Sequence, residues 1–292
     1  AEGVELEIAD LASAARSAQA LVSGAVDVVC SAYEHTFHPR GPGPASQAFV
    51  LMARTPQVAF GYSVKAMPGS PQVQDLKGKK IGVSATGTLT HMVASQIVLR
   101  AGLSPSDVSF VSVGSSAGAL ASLRSGQIDA LCNTDPVMTA LEQKGEIQLA
   151  FDTRTLLGSQ AVFGGPMPTA CLHAPVDFVQ RHPHTIQAMT NAVVRALRWL
   201  HGVGPSELIR TVPEALLWED RGLYLSAFNR MREAISLDGL MPDDGPRTVL
   251  RTWERFDPLL RFDPLELART YTNEFARRAN DRPLKTLTAN AG

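Results

Sequence analysis

Leu21-Val22-Ser23-Gly24-Ala25-Val26-Asp27-Val28-Val29-Cys30-Ser31 returns further along the chain as Leu123-Arg124-Ser125-Gly126-Gln127-Ile128-Asp129-Ala130-Leu131-Cys132-Asn133. Leu, Ser-Gly, Asp and Cys keep one register, and Ser13 and Ser115 align upstream. Each copy reads as an amphipathic helix, a Gly that stops it, a short apolar strand and a polar loop. Two such half-structures in one chain predict two lobes, with something held between their matching loops. Asp27 and Asp129 follow the helix stop and read as structural. Cys30 and Cys132 end the strands and read as small buried hydrophobes. With Cys171 they make an odd number, so a fully paired disulfide framework is excluded.

The 292 residues can bury a large core as one big or two medium domains. A hydrophobic content of 45% and a charged content of 19% are ordinary for a globular protein. The formal net charge of −1 leaves no electrostatic footprint for nucleic acid or an anionic membrane. No apolar run reaches the roughly 18 residues of a membrane span. The chain opens Ala-Glu-Gly-Val, which reads as a removed leader or an incomplete N-terminus.

Outward from the repeat, residues 4–8 are a strand candidate, 13–23 a helix and 26–30 a buried strand. Residues 38–44, rich in Pro and Gly, form a turn-rich loop. Strands are predicted over 48–52 and 58–64, and Pro68-Gly69-Ser70-Pro71 is read as a first crossing between lobes. Lys79 to Val83 is a strand, Ser84 to Thr88 a turn, and 89–101 a helix stopped by Gly102. A strand over 108–113 precedes the second copy of the repeat. Strands alternating with helices of this length predict parallel βαβ units. Residues 161–172 read as a return crossing. Helices over 176–199, 205–217, 221–234, 243–256 and 264–279 then form a tail that wraps one lobe, and 285–292 read as frayed.

The turn Ser84 to Thr88 carries the strongest site signal. Gly87 permits close backbone approach, and the N–H groups opening the next helix favour negative charge. Ser84, Thr86 and Thr88 add hydroxyls. The P-loop lysine and the dinucleotide glycine fingerprint are both absent, so a small carboxylate or sulfonate fits better than a nucleotide. The same residues also serve as plain helix caps. In a parallel α/β sheet, ligands bind beyond the carboxyl ends of the strands. That places 31–36 and 133–139 at the cleft. There Tyr33 either stacks on a ligand or packs on its own lobe. Glu34 and Asp135 either accept hydrogen bonds from a ligand or sit at helix starts. Asn133 suits neutral polar groups. His91 either looks into the cleft or faces solvent, and His182 and His184 read as surface residues. Glu34-His35-x-x-His38 is a weak metal pattern, because Pro39 and the glycines prevent a continuous helix. No G-x-S-x-G, C-x-x-C or H-E-x-x-H motif is present, and no metal or cofactor is expected.

Several stretches together resemble the periplasmic solute-binding proteins of ABC importers, of the nitrate/sulfonate/taurine and thiamine-pyrimidine-precursor superfamily. These are Asp75-Leu76-Lys77-Gly78-Lys79-Lys80-Ile81-Gly82-Val83-Ser84, then Thr86-Gly87-Thr88-Leu89-Thr90-His91-Met92. Asn133-Thr134-Asp135-Pro136-Val137, Ser31-Ala32-Tyr33-Glu34-His35-Thr36 and Thr270-Tyr271-Thr272-Asn273-Glu274-Phe275 complete the set. The resemblance implies a type II periplasmic-binding-protein fold. That is an α/β protein of two parallel-sheet lobes, two hinge crossings, a cleft that closes on ligand and a helical C-terminal tail. Lobe 1 is expected from 1–66 plus 173–292, lacking the family's first strand and helix, and lobe 2 from 67–172. The ligand-binding residues implied are Ser31, Tyr33, Glu34, His35, Ser84, Thr86, Gly87, Thr88, Asn133, Asp135 and, at the second hinge, Thr169. The function implied is capture of a small organic, acid-bearing solute for import through an ABC permease. It would be periplasmic, monomeric and not enzymatic. The cysteine-rich motif of the thiamine-precursor enzymes is absent. An enzyme on the same scaffold, similar to menaquinone-pathway dehydratases, is the alternative. An effector-sensing module is less favoured, because no helix-turn-helix or basic stripe is present.

Overall fold

The computed structural model describes residues 2–11, 14–37, 46–218, 220–257, 259–260 and 262–281. The loop expected over 38–44, the frayed 285–292 and Ser13 lie outside the described residues. The elements run α1 (Ala14–Val22), β1 (Val29–Ala32), a 3-10 turn (Tyr33–Thr36), β2 (Ser46–Leu51), β3 (Val58–Ser63), β4 (Lys80–Val83) and α2 (Leu89–Arg100). They continue with β5 (Ser109–Ser112), α3 (Ala117–Arg124), β6 (Ala130–Thr134), α4 (Val137–Gln143), β7 (Ile147–Asp152), α5 (Leu156–Phe163) and β8 (Ala170–Pro175). Six helices follow: α6 (Val176–Arg181), α7 (Pro183–Gly202), α8 (Pro205–Thr211), α9 (Arg221–Met231), α10 (Gly245–Phe256) and α11 (Glu274–Asn280). Pro183 splits the helix expected over 176–199, because its ring cannot continue the hydrogen-bond ladder.

Both copies of the repeat fold as helix, glycine and strand. Gly24 and Gly126 follow α1 and α3 at φ +70° and +77°, a left-handed conformation that only glycine adopts without strain. Asp129 is structural, as expected: its Oδ2 accepts the Lys80 N–H at 2.8 Å. Cys132 is fully buried, but Cys30 is exposed, because β1 lies at the edge of its sheet. All three cysteines are free thiols.

The strands form two sheets. One has the order β1-β8-β2, antiparallel throughout. The other has the order β5-β4-β6-β3-β7. There β4 runs parallel to β5 and β6, while β3 is antiparallel to β6 and β7. The parallel pattern thus holds for the β4-α2-β5-α3-β6 segment and not for the three-stranded sheet. β3 also departs from its expected place in lobe 1. All six of its residues are buried, as suits a strand covered on both faces, and Gly61 lets β7 approach. A Cβ at Gly61 would fall 2.7 Å from the Gln148 carbonyl oxygen. The chain therefore leaves the three-stranded sheet between Leu51 and Val58, not at Pro68–Pro71, and returns between Phe163 and Ala170. Residues 4–8 form no helix and join no sheet; Glu2 ties this segment to α7 through Arg195 at 2.5 Å.

The tail touches both lobes. α7 and α11 bury Ile186, Val194, Phe275 and Ala279 against Phe49 and Val50 of β2. α10 crosses to the other side, where the Gln96 side chain of α2 donates to the Thr252 carbonyl at 3.3 Å. Arg251 donates to the Phe163 carbonyl at 3.0 Å, and Arg230 of α9 pairs with Glu142 of α4 at 2.7 Å. Among the described residues, no helix is long and apolar enough to cross a membrane.

Candidate functional site

A cleft of about 1290 Å³ separates the end of β1 from the start of α2. Cys30, Ser31, Glu34 and His35 border one side, and Gly87, Thr88 and Leu89 the other. Trp253 of α10 and residues 4–11 also border it. Among the described lining residues none is Lys or Arg, while Glu5, Glu7, Asp10, Asp27 and Glu34 are all carboxylates.

The turn before α2 is internally wired. Gly87 has φ +77°, and its N–H donates to His91 Nδ1 at 2.9 Å. That bond requires an unprotonated Nδ1, and partial burial also lowers the pKa of His91. The His91 ring meets Phe110 and Phe256 edge-on, at 4.3 and 5.0 Å between centroids. The Ser84 N–H donates to Thr90 Oγ1 at 2.9 Å, and Thr88 Oγ1 donates to the Ala85 carbonyl at 2.6 Å. Thr88 occupies the N-cap position without making a side-chain cap bond, and Thr88 and Leu89 border the cleft at this helix start. Thr86 does not border the cleft: it is exposed, and its N–H is taken by Ser112 Oγ at 3.2 Å.

On the other side, Ser31 and His35 are joined at 3.0 Å, and Glu34 is 4% exposed at the foot of the cleft. Four expected residues turn away. Tyr33 is fully buried, edge-on to Phe37, and its hydroxyl pairs with Thr270 Oγ1 at 2.5 Å. Its pKa is pushed up by that burial. Asn133 spends its amide on the Gly114 carbonyl and the Thr134 N–H, both at 2.8 Å. Asp135 has a fully buried side chain paired with Arg154 at 3.0 Å, and it also accepts the Thr139 N–H at 2.9 Å. Thr169 Oγ1 donates to the Thr55 carbonyl at 2.7 Å within the return crossing. These four hold the frame around the cleft and do not line it.

His173 and Trp253 went unremarked in the sequence. His173 reaches Ser31 Oγ at 2.7 Å across 142 positions, a proximity that no local spacing encodes. Trp253 belongs to a buried stripe of α10, a segment that read only as a helix. Among the described residues, no group of three or more His, Cys, Asp or Glu side chains is placed to hold a metal.

Two sheets, two crossings and a cleft between them define the two-lobed fold of periplasmic binding proteins. The chain belongs to the NMT1/THI5-like family, whose model matches residues 1–203. A solved protein from Bordetella bronchiseptica RB50 is 46% identical, with a TM-score of 0.83 over 96% of this chain and 88% of that one. The periplasmic sulfonate-binding protein SsuA from Methylobacillus flagellatus KT is 19% identical, with a TM-score of 0.67 over 90% of this chain and 77% of that one. The desulfurization enzyme DSZB is 18% identical, with a TM-score of 0.59 over 87% and 85%. At those identities the last two likenesses concern the fold alone. Among curated proteins no match was found.

Proposed function

We propose that this protein is an extracytoplasmic solute-binding component of an ABC-type importer, which captures a small organic solute in the cleft and delivers it to a membrane permease. The observation that carries this reading is a cleft bordered from both lobes, by Ser31, Glu34 and His35 and by Gly87, Thr88 and Leu89. A ligand touching both sides stabilises the closed arrangement by its differential contacts, which is how a binding protein signals loading. Its structural likeness to a sulfonate-binding protein supports the same class.

Charge narrows the solute. The uncapped N-terminus of α2 favours an acidic group, and the buried Glu34 opposite favours a hydrogen-bond donor or a cation. A bare inorganic anion is disfavoured by the carboxylates around the cleft. The solute we infer carries a carboxylate or sulfonate at one end and N–H groups at the other. Isothermal calorimetry across alkanesulfonates, amino-sulfonates, aromatic acids and pyrimidines tests this. Micromolar or tighter binding of the amino-acid-like members, and not of sulfate, is the expected pattern. Absence of binding across the whole series, together with no small molecule in native mass spectra of the purified protein, sinks the reading.

A further inference from the structure

Four side chains form a line from the core to the cleft. Ser46 Oγ lies 3.2 Å from His173 Nδ1, His173 Nε2 lies 2.7 Å from Ser31 Oγ, and Ser31 Oγ lies 3.0 Å from His35 Nδ1. Sheet register builds this line. His173 of β8 pairs with Val29 on one side and Ala48 on the other. Ser31 and Ser46 each stand two residues from those partners, so they are diagonal neighbours of His173 on one face. His173 is 3% exposed and Ser46 6%, while Ser31 and His35 border the cleft.

A hydroxyl carries one proton, and each ring nitrogen either donates or accepts. With both rings neutral, the line can run in either direction. A proton added to His35 favours one direction, because the Ser31 hydroxyl, now accepting from His35, has its own proton to give to His173. His35 Nδ1–H donates to Ser31 Oγ, the Ser31 hydroxyl donates to His173 Nε2, and His173 Nδ1–H donates to Ser46 Oγ. His173 itself resists a second proton, because burial and then the nearby His35 hold its pKa near 4. It is therefore too weak a base to activate Ser31 at neutral pH.

Among the described residues bordering the cleft, His35 is the one able to carry a positive charge. Among the described residues, the titratable groups around it are Glu34 on its own turn, Cys30 on β1, His173 and Cys171 on β8, and the carboxylates Glu5, Glu7, Asp10 and Asp27 along the cleft. We propose that His35, across the cleft from the α2 N-terminus, is a second contact for the acidic end of a solute, and that the Ser31–His173–Ser46 line sets its charge, so that this end binds with uptake of a proton. This rests on the cleft being the solute site.

Nitrogen-15 NMR of histidine side chains in the full chain tests it without a known ligand. The His173 signals are expected to move to the Nδ1–H tautomer at the same midpoint pH at which His35 ionises. Ser31→Ala should abolish that shared midpoint, and Ser31→Thr should restore it. Methanesulfonate or acetate, used as probes, should raise the His35 midpoint by about one pH unit in the parent and by less in Ser31→Ala. His173 signals that stay flat while His35 titrates, or that keep the shared midpoint in Ser31→Ala, overturn the relay. A working relay with a midpoint that neither probe moves overturns anion recognition by His35. In that case solute binding found by calorimetry leaves the cleft reading standing, and no solute binding at all sinks both.

Discussion

His173 stays uncharged because charging it in place means solvating an ion inside a packed sheet. Its folded pKa near 4 lies below the ordinary 6.5, so between those values the unfolded chain binds the extra proton. Stability contributed by this residue is therefore complete above about pH 6.5 and is lost as pH falls toward 4, by about 3 kcal/mol in all. Urea unfolding followed from about pH 7.5 to 4.5 should show this loss, and His173→Gln should flatten the difference. An equal pH dependence in parent and variant means that His173 titrates freely. Tyr33, Asn133 and Thr169 share the same physical logic. Their side chains are held by Thr270, Gly114 and Thr55, which aims them into the frame.

At the scale of elements, Arg154 fastens the loops after β6 and β7 to α4. Its fully buried guanidinium meets Asp135 at 3.0 Å and Asp152 at 2.7 Å, with Glu142 at 3.7 Å. Glu142 in turn reaches Arg230 of α9, so one cation organises four elements. Removing one partner of such a group leaves a buried charge short of its counter-charge. Asp135→Ala should cost about 3–5 kcal/mol in denaturant unfolding while leaving solute affinity within about twofold in the folded protein. A stable Asp135→Ala protein that has lost its solute would return Asp135 to the cleft. The turn before α2 shows the opposite case. There the residues that mark the site are adjacent in sequence, and Gly87 with its positive φ could be read directly.

At the scale of the molecule, α9 and α10 leave the chain after the second crossing yet anchor on α4 and α2 of the five-stranded lobe. The tail thus joins the two lobes behind a cleft that Trp253 borders. Closure around a solute should bring the radius of gyration toward the roughly 19 Å of a compact chain of this length. Small-angle scattering with and without the solute found by calorimetry checks this, and Trp253 fluorescence should change in the same titration. A loaded protein that scatters like the empty one would rule out lobe closure as the signal.

The repeated phrase determined the helix–glycine–strand units, and the Ser84 to Thr88 turn determined where a helix start opens on the cleft. Both are local: a glycine with positive φ and a period of apolar residues need only their neighbours. The direction in which Tyr33, Asn133 and Asp135 point was decided by Thr270, Gly114 and Arg154, which lie far along the chain or on other elements. Sheet membership of β3 was decided in the same way, by the fit of Gly61 against β7. Burial makes an unpaired polar group costly, so the partner that arrives in three dimensions, and not the residue type, sets whether a side chain serves the frame or the ligand.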